Sequence, residues 1–139
     1  MKAAKLGESC ERLFALDTVK LSEAYYYASL PLCVIDAVFS IGVRYAGVQN
    51  TVRRYCRYFN LREYDPERDI SDNAHTVSAL IKNIEAIGVG QCADSVFQNH
   101  QRTSSRNGIL KVDAVLRFAK VLQRYGVETF TDLRDSKLN

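Results

Sequence analysis

Apolar residues recur at helical spacing along most of the chain, and the densest apolar stretch is "LPLCVIDAVFSIGV". Ser29-Leu30-Pro31 precedes it, and proline is well tolerated in the first turn of a helix, where its missing N–H is not needed. We predict a helix over 31–42 that is apolar nearly all round and therefore central and buried. Asp36 interrupts the run, which is too short to span a bilayer.

The other periodic segments also predict helices, and no segment shows a convincing strand alternation. Polar stretches such as "NHQRTSSRNG" separate them as loops. We predict an all-α fold, a single helical domain over 1–139 in which six or seven helices pack orthogonally. An N-terminal helix over 8–28 precedes the central helix. The next helix is amphipathic, with an apolar face of Val48, Val52, Tyr55, Cys56 and Phe59 and a basic face of Arg53, Arg54 and Arg57. A further helix is capped by Asp72 or Asn73 and carries the apolar stripe Val77, Leu80, Ile81, Ile84 and Ile87.

The rest of the chain is predicted to form a short helix over 91–98, a long helix over 109–125 and a final turn over 128–133. A polar tail over 134–139 follows.

Length and charge narrow the function only slightly. A chain of 139 residues fits one domain with its own core. The net charge of +3 is small, but its distribution is uneven. Arg44 to Arg62 holds five arginines and no acid, whereas Glu63 to Asp72 holds five acids and one arginine. We therefore expect a local basic surface, which matters more than the total charge.

Cysteine and histidine spacing argues against a metal site. The four cysteines are Cys10, Cys33, Cys56 and Cys92, without any CxxC pair, and His75 and His100 stand alone. Buried free thiols are favoured over two disulfides, because cysteines in apolar helical patterns behave as small hydrophobes. Without a signal peptide pattern in the chain, we expect a soluble cytoplasmic protein that uses no metal and no cofactor.

Catalytic motifs are not visible, and no catalytic residue is assigned. Asp36 is the one carboxylate in a costly position. Placement at the helix rim or pairing with an arginine is favoured over an acid/base role. The triplet Tyr25–Tyr27 is expected to form an edge of the core with hydrated hydroxyl groups rather than a ligand box.

The polar loop "RTSSRNG" is the best candidate for a binding surface. Arginine forks together with small hydroxyl and amide donors suit phosphate oxygens, and a plain solvated loop is an equally good interpretation. With the basic rim that follows the central helix, the DNA-binding candidates are Arg44, Tyr45, Arg53, Arg102, Thr103, Ser104, Ser105, Arg106 and Lys111.

Two segments carry a resemblance to a known family. "LPLCVIDAVFSIGVRYAGVQN" resembles the buried-helix motif "PF-LL---LLSAQATD--VN", with Ser40 at the motif serine and Val48 at the motif valine. "RNGILKVDAVLRFAKVL" is similar to a later "-SKA--I---" helix, with Lys111 at the motif lysine. These motifs resemble the N-terminal half of the helix–hairpin–helix DNA glycosylases of the endonuclease III type, in an uncharacterised bacterial branch. The resemblance spans about residues 30–135.

The resemblance implies DNA binding and a link to DNA repair, but its match is incomplete. Gly42 stands where many members place a glutamine that enters the DNA helix. The chain ends at "TFTDLRDSKLN", about where the hairpin would begin, and Lys111 lies on the helix before the position of the catalytic lysine. We therefore expect a DNA-binding helical domain without catalysis of its own, unless a further segment supplies the chemistry.

The alternative is a helical protein–protein interaction or oligomerisation module with no nucleic-acid role. In the resembled fold, the half with the hairpin would cover part of the core. Without it, an apolar patch would be exposed, and such a patch predicts a homo-oligomer. Its contact faces would surround Leu13, Phe14, Tyr25 or Phe130. In that case the arginines would face acids such as Glu63, Glu67 or Asp69 of a neighbouring subunit. Neither hypothesis involves a membrane.

Overall fold

A computed structural model describes residues 27–43, 46–64 and 75–133. This part of the chain is helical with two isolated antiparallel bridges and no extended strand, so the predicted all-α class is confirmed. No helix in these ranges combines the length and apolar character needed to cross a membrane. The helices are α1 (Leu30–Phe39), α2 (Ala46–Phe59), α3 (Val77–Ile87), the short α4 (Val89–Gln91), which continues as a π-helical turn over Cys92–Val96, and α5 (Lys111–Arg124).

Helix α1 is the centre of the domain, and all of its residues are buried. Helices α2, α3 and α5 all pack against it. It ends at Phe39, three residues before the predicted end, because a turn over 40–43 follows. Gly42 lies in that turn at φ +70, a backbone conformation that glycine adopts without the steric cost of a Cβ atom.

The second and third helices bury the apolar faces that their periodicity predicts. Val52 and Tyr55 on α2 are fully buried, while Arg53 and Arg57 are exposed. Helix α3 buries four of the five predicted stripe residues, and Ile87 is half-buried.

The start of α3 differs from the prediction. Its N-cap is Thr76, whose hydroxyl oxygen accepts a hydrogen bond from the Ala79 N–H at 3.2 Å. Asp72 and Asn73 lie outside the described residues. His75 and Thr76 are not helical, so the helix that begins at Val77 is not capped by Asp72 or Asn73. A threonine cap satisfies the same free N–H groups as asparagine or aspartate.

The predicted helix over 91–98 is divided into two kinds of turn. After α4 the backbone widens into the π-helical turn, and the Phe97 N–H donates to the Cys92 carbonyl at 2.9 Å. The wider turn places Val96 and Phe97 in the core. The chain then leaves the helix through Gln98 at φ +50.

The buried carboxylate of Asp36 is held by hydroxyl groups. Tyr27 donates to Oδ2 at 2.5 Å and Ser40 donates to Oδ1 at 3.1 Å. The carboxylate is therefore buried rather than at the helix rim, and the Tyr27 hydroxyl is buried against it rather than exposed to water. Paired hydroxyl donors stabilise a carboxylate away from water.

Tyr27 also marks the end of the predicted N-terminal helix. That helix lies outside the described residues except for Tyr27 and Ala28, which are not helical. Tyr27 forms an antiparallel bridge with Tyr64, and the two rings stack with centroids 5.3 Å apart. This pairing fixes the chain before α1 against the chain after α2.

The described cysteines Cys33, Cys56 and Cys92 are buried, and Cys56 and Cys92 are free thiols, as predicted. Burial raises the pKa of Cys56 to about 12 and that of Cys92 to about 11, so both thiols are protonated at neutral pH. Cys10 lies outside the described residues. Within those residues no group of three or more His, Cys, Asp or Glu side chains could hold a metal ion.

A buried polar network joins α2 to the start of α3. Nε2 of His75 and the Tyr55 hydroxyl lie 2.7 Å apart, and the Asn83 amide donates to the same hydroxyl at 3.1 Å. His75 is only 5% exposed. Burial lowers its pKa from 6.5 to about 4, because the charged imidazolium is costly away from water.

This network predicts a loss of stability in acid. The unfolded chain binds a proton to His75 below pH 6.5, whereas the folded chain resists it down to about pH 4. The contribution of His75 is therefore present above pH 6.5 and is lost as the pH falls towards 4. The complete loss is about 3 kcal/mol in the free energy of unfolding.

Urea denaturation at a series of pH values measures this loss. His75→Gln keeps a polar partner for Tyr55 but does not titrate, so it should show a shallower decline between pH 6.5 and 4. Equal declines for the two proteins would contradict the assignment to His75.

Candidate functional site

A polar cleft opens at one edge of the bundle, where the turn after α1 meets the first turns of α2 and the segment 97–101. It encloses about 230 Å³. Among the described residues its lining contains no carboxylate, and most of its side-chain polar groups are amides or a guanidinium. The lining residues are Phe39, Val43, Gly47, Val48, Asn50, Thr51, Arg54, Asn99 and Gln101.

Lys111 lies behind this cleft and joins its two sides. It is the first residue of α5 and is 1% exposed. Its Nζ donates to the carbonyl oxygens of Phe39 at 3.0 Å and Ile41 at 2.7 Å, and to Oε1 of Gln101 at 3.3 Å. The three donors of the ammonium group are thus all occupied.

The environment of Lys111 stabilises the end of the central helix. Carbonyl groups in the last turn of a helix lack partners within the helix, and a cation there also interacts favourably with the helix dipole. Burial lowers the pKa of Lys111, since the charged form is costly away from water. The sequence analysis placed Lys111 among the phosphate contacts, but its burial and its three partners remove it from that set.

A chain of hydrogen bonds connects several residues of the cleft lining. Nδ2 of Asn99 donates to the hydroxyl of Thr51 at 3.2 Å. That hydroxyl in turn donates to the Gly47 carbonyl at 3.3 Å. Oδ1 of Asn99 accepts from the backbone N–H of Gln101 at 2.8 Å. These bonds hold segment 97–101 against α2.

Two neighbouring arginines on α2 have different environments. Nη1 of Arg54 donates to the Phe97 carbonyl at 3.2 Å, and the side chain lines the cleft. Nε of Arg53 lies 3.4 Å from Oε2 of Glu63, and its Nη1 donates to Oδ1 of Asn50 at 3.3 Å. Arg53 is therefore partly neutralised within its own chain, whereas Arg54 presents its charge to the cleft.

The polar loop over 102–110 begins directly after the cleft residue Gln101 and is closed by its own polar groups. The Thr103 N–H donates to the Ile109 carbonyl at 2.9 Å, and Arg102 donates to the Gly108 carbonyl at 2.8 Å. The Ser104 hydroxyl donates to the Arg106 carbonyl at 2.6 Å. Arg102, Thr103 and Ser104, which were predicted to contact DNA, therefore also form hydrogen bonds that hold the loop together.

The tip of the loop is exposed and basic. Ser105, Arg106 and Asn107 are all exposed, and Asn107 lies at φ +57. The loop returns through Gly108, where an added Cβ atom would lie 2.3 Å from the Ser104 carbonyl oxygen. Glycine is thus required for the close approach of the two sides of the loop.

Two apolar side chains stand beside the polar groups. Ile41 is 40% exposed and Val43 is 38% exposed, both in the turn after α1. Val43 lines the cleft, and the carbonyl of Ile41 is bound by Lys111. The turn therefore presents apolar surface at the edge of a donor-rich site.

The structure brings together some of the predicted site residues and adds others. Arg102 to Arg106 lie in one loop next to the cleft, while Arg44 and Tyr45 lie outside the described residues. Sequence reasoning placed Arg54 on the basic face of its helix without assigning it to the site, and it missed the cleft residues Asn50, Thr51, Asn99 and Gln101. The spacing of Asn50 and Arg54 on one helix and the "NHQ" amides before the loop were the available signals.

Comparison with known proteins assigns the chain to a family. The model of a family described as "Domain of unknown function (DUF8548)" matches residues 4–139. No curated protein and no solved structure matches the chain.

The contacts of Lys111 predict a stability effect. Lys111→Met keeps most of the side-chain volume but removes the ammonium, which leaves the carbonyls of Phe39 and Ile41 without this donor. We expect the free energy of unfolding to fall by about 1–3 kcal/mol in urea denaturation. The matched control is Lys120→Met, because Lys120 pairs with Glu85 in the solvent. Its change should stay below about 0.5 kcal/mol, and similar losses for both variants would refute the role of Lys111.

The close approach at Gly108 gives a second stability prediction. Gly108→Ala places a methyl group against backbone atoms of Ser104, so the variant should lose about 2 kcal/mol of unfolding free energy. Gly90→Ala is the control, because a Cβ atom there meets nothing within 4 Å. Alanine in a helix should raise stability at Gly90 by about 0.5–1 kcal/mol. Thermal melts with shifts of the same sign for both variants would contradict this account of the loop.

Proposed function

The chain belongs to the DUF8548 family, and we propose that it is a helical DNA-binding domain without catalytic activity of its own. The observation that carries the proposal is that a donor-rich cleft and an exposed basic loop lie at the same edge of the bundle. A cleft lined by amide and guanidinium groups, with no carboxylate among the described residues, continues into an exposed arginine-containing loop.

The chemistry of this edge suits a phosphate backbone. Arginine, asparagine, glutamine, serine and threonine are among the side chains that bind DNA phosphates, together with lysine and tyrosine. Arg106 and Ser105 at the loop tip are exposed, and Arg54 lies in the adjoining cleft. Contacts of this kind give affinity through counterion release and do not read sequence.

The exposed turn after α1 fits the same proposal. Ile41 and Val43 lie beside the polar cleft, and DNA-binding proteins often place apolar side chains against bases or sugars next to phosphate contacts. The resemblance to the N-terminal half of DNA glycosylases supports the same class of partner. A role in DNA repair is part of this proposal.

A protein-interaction or homo-oligomerisation role is the second candidate. Tyr58 is 52% exposed and Tyr125 is 43% exposed, which favours a contact surface. Two observations weigh against the arrangement expected from sequence. Phe130 is only 9% exposed, and Arg53 already pairs with Glu63 of its own chain. Singly exposed tyrosines are common on monomers, so DNA binding is preferred.

Fluorescence anisotropy with a labelled duplex at several salt concentrations tests the proposal. Arg54, Arg102 and Arg106 would engage about three phosphates, which gives a log–log salt slope of roughly −3. Arg106→Ala should flatten the slope by about one unit and weaken binding equally for different sequences.

The control variant is Arg117→Ala, because Arg117 is an exposed arginine of α5 that pairs with Asp113 at 3.1 Å. It should leave the slope unchanged. Absence of duplex binding at low salt, or equal effects of the two variants, would overturn the proposal. Sedimentation of a stable dimer that Arg106→Ala leaves unaffected, together with no DNA binding, would favour the interaction role.

A further inference from the structure

The hydrogen bonds around the cleft show which atoms of its side-chain amides already have partners. Lysine and arginine are donors only, so an amide atom that contacts either of them must be its oxygen. This rule orients Gln101, whose Oε1 lies 3.3 Å from Nζ of Lys111. The amide nitrogen of Gln101 and its two hydrogens are left for the cleft.

The same reasoning applies on the α2 side. Oδ1 of Asn50 faces Nη1 of Arg53 at 3.3 Å, which leaves the nitrogen of Asn50 as the free end. Asn99 uses Oδ1 for the Gln101 backbone N–H and one Nδ2 hydrogen for Thr51. Its second Nδ2 hydrogen remains.

Arg54 adds the charge. A guanidinium carries five N–H donors, and the Phe97 carbonyl is the partner of Nη1 alone. Three residues of the lining therefore keep donors beyond those used in these hydrogen bonds: the amides of Gln101 and Asn50 and the guanidinium of Arg54. The acceptor ends of these amides already have partners.

We propose that this cleft is a binding site for a single phosphate group, either free phosphate or the phosphate at the end of a nucleic-acid strand. The proposal deepens the DNA-binding function where the strand end is the source, and it stands by itself where the source is free phosphate. A phosphate offers only acceptors and negative charge, which complements a lining of donors with one guanidinium.

The size of the cleft agrees with this ligand. At roughly 30 Å³ per water molecule in the liquid, the cleft holds the equivalent of about seven or eight waters. Drug-sized ligands occupy pockets of about 300–1,000 Å³. At about 230 Å³, this cleft has room for a tetrahedral phosphate and part of its ester substituent.

A titration of the ¹⁵N-labelled protein with inorganic phosphate tests the site. At constant ionic strength, the side-chain amide signals of Asn50, Asn99 and Gln101 should shift and saturate, whereas sodium chloride alone should not shift them. Gln101→Glu is the decisive variant. A carboxylate oxygen keeps the contact to Lys111 but replaces the donor in the cleft by a second anionic oxygen.

We expect Gln101→Glu to weaken phosphate binding at least tenfold. Lys82→Gln changes the net charge by the same amount at an exposed position of α3 outside the lining, so it should bind as the unmodified protein does. Shifts that never saturate, or equal losses in Gln101→Glu and Lys82→Gln, would overturn the proposal.

A second arm identifies the source of the phosphate. An oligonucleotide with a 5′-phosphate should bind at least tenfold more tightly than the same strand with a 5′-hydroxyl if a strand end is the ligand, and equally if free phosphate is. Saturable phosphate binding without any duplex binding would support the site and refute the DNA-binding function. Duplex binding without phosphate-induced shifts of the cleft amides would support the DNA-binding function and refute the phosphate site.

Discussion

The contact on which the described structure most depends is the buried ammonium group of Lys111 at the end of the central helix. Helix α1 is surrounded by the rest of the domain, so its last carbonyl groups cannot rely on water. Lys111 supplies donors to the last of them, that of Phe39, and also to the carbonyl of Ile41 in the following turn and to Gln101. A buried cation is costly, and its cost is offset only because every donor has an acceptor. One side chain thereby fixes the turn after α1, the start of α5 and the base of the polar loop.

This arrangement explains how a mostly apolar bundle obtains an organised polar edge. With the turn and segment 97–101 held in place, the amides of Asn99 and Gln101 have defined orientations, and Arg54 closes the cleft from α2. The loop then extends from the same edge and is rigidified by its own hydrogen bonds. Donor groups held in advance lose less entropy on binding than mobile surface side chains do. The proposed DNA and phosphate contacts rest on this preorganisation.

Much of the helical architecture was predictable, because apolar periodicity reports which face of a helix is buried. Helix α1 and the stripe of α3 illustrate this. The exact ends were less predictable, since the Thr76 cap and the turn at Gly42 depend on local hydrogen bonds. The π-helical turn has no periodic signature. The cleft could not be predicted as a unit, because Asn50, Arg54 and Gln101 meet only through tertiary packing. Lys111 was misplaced because a lysine is normally a surface residue, and only the fold shows the carbonyl groups that it binds.

Nuclear magnetic resonance of the lysine side-chain ammonium groups tests whether Lys111 is buried and bound to the turn after α1. Ammonium protons of lysines in water exchange too fast to be observed readily near neutral pH, whereas those of a buried, hydrogen-bonded lysine are protected. We expect one protected ammonium signal that is lost in Lys111→Met and that shows nuclear Overhauser contacts to Phe39, Ile41 and Gln101. A Lys111 ammonium that exchanges as fast as the exposed lysines, without contacts to the turn after α1, would contradict this placement of Lys111.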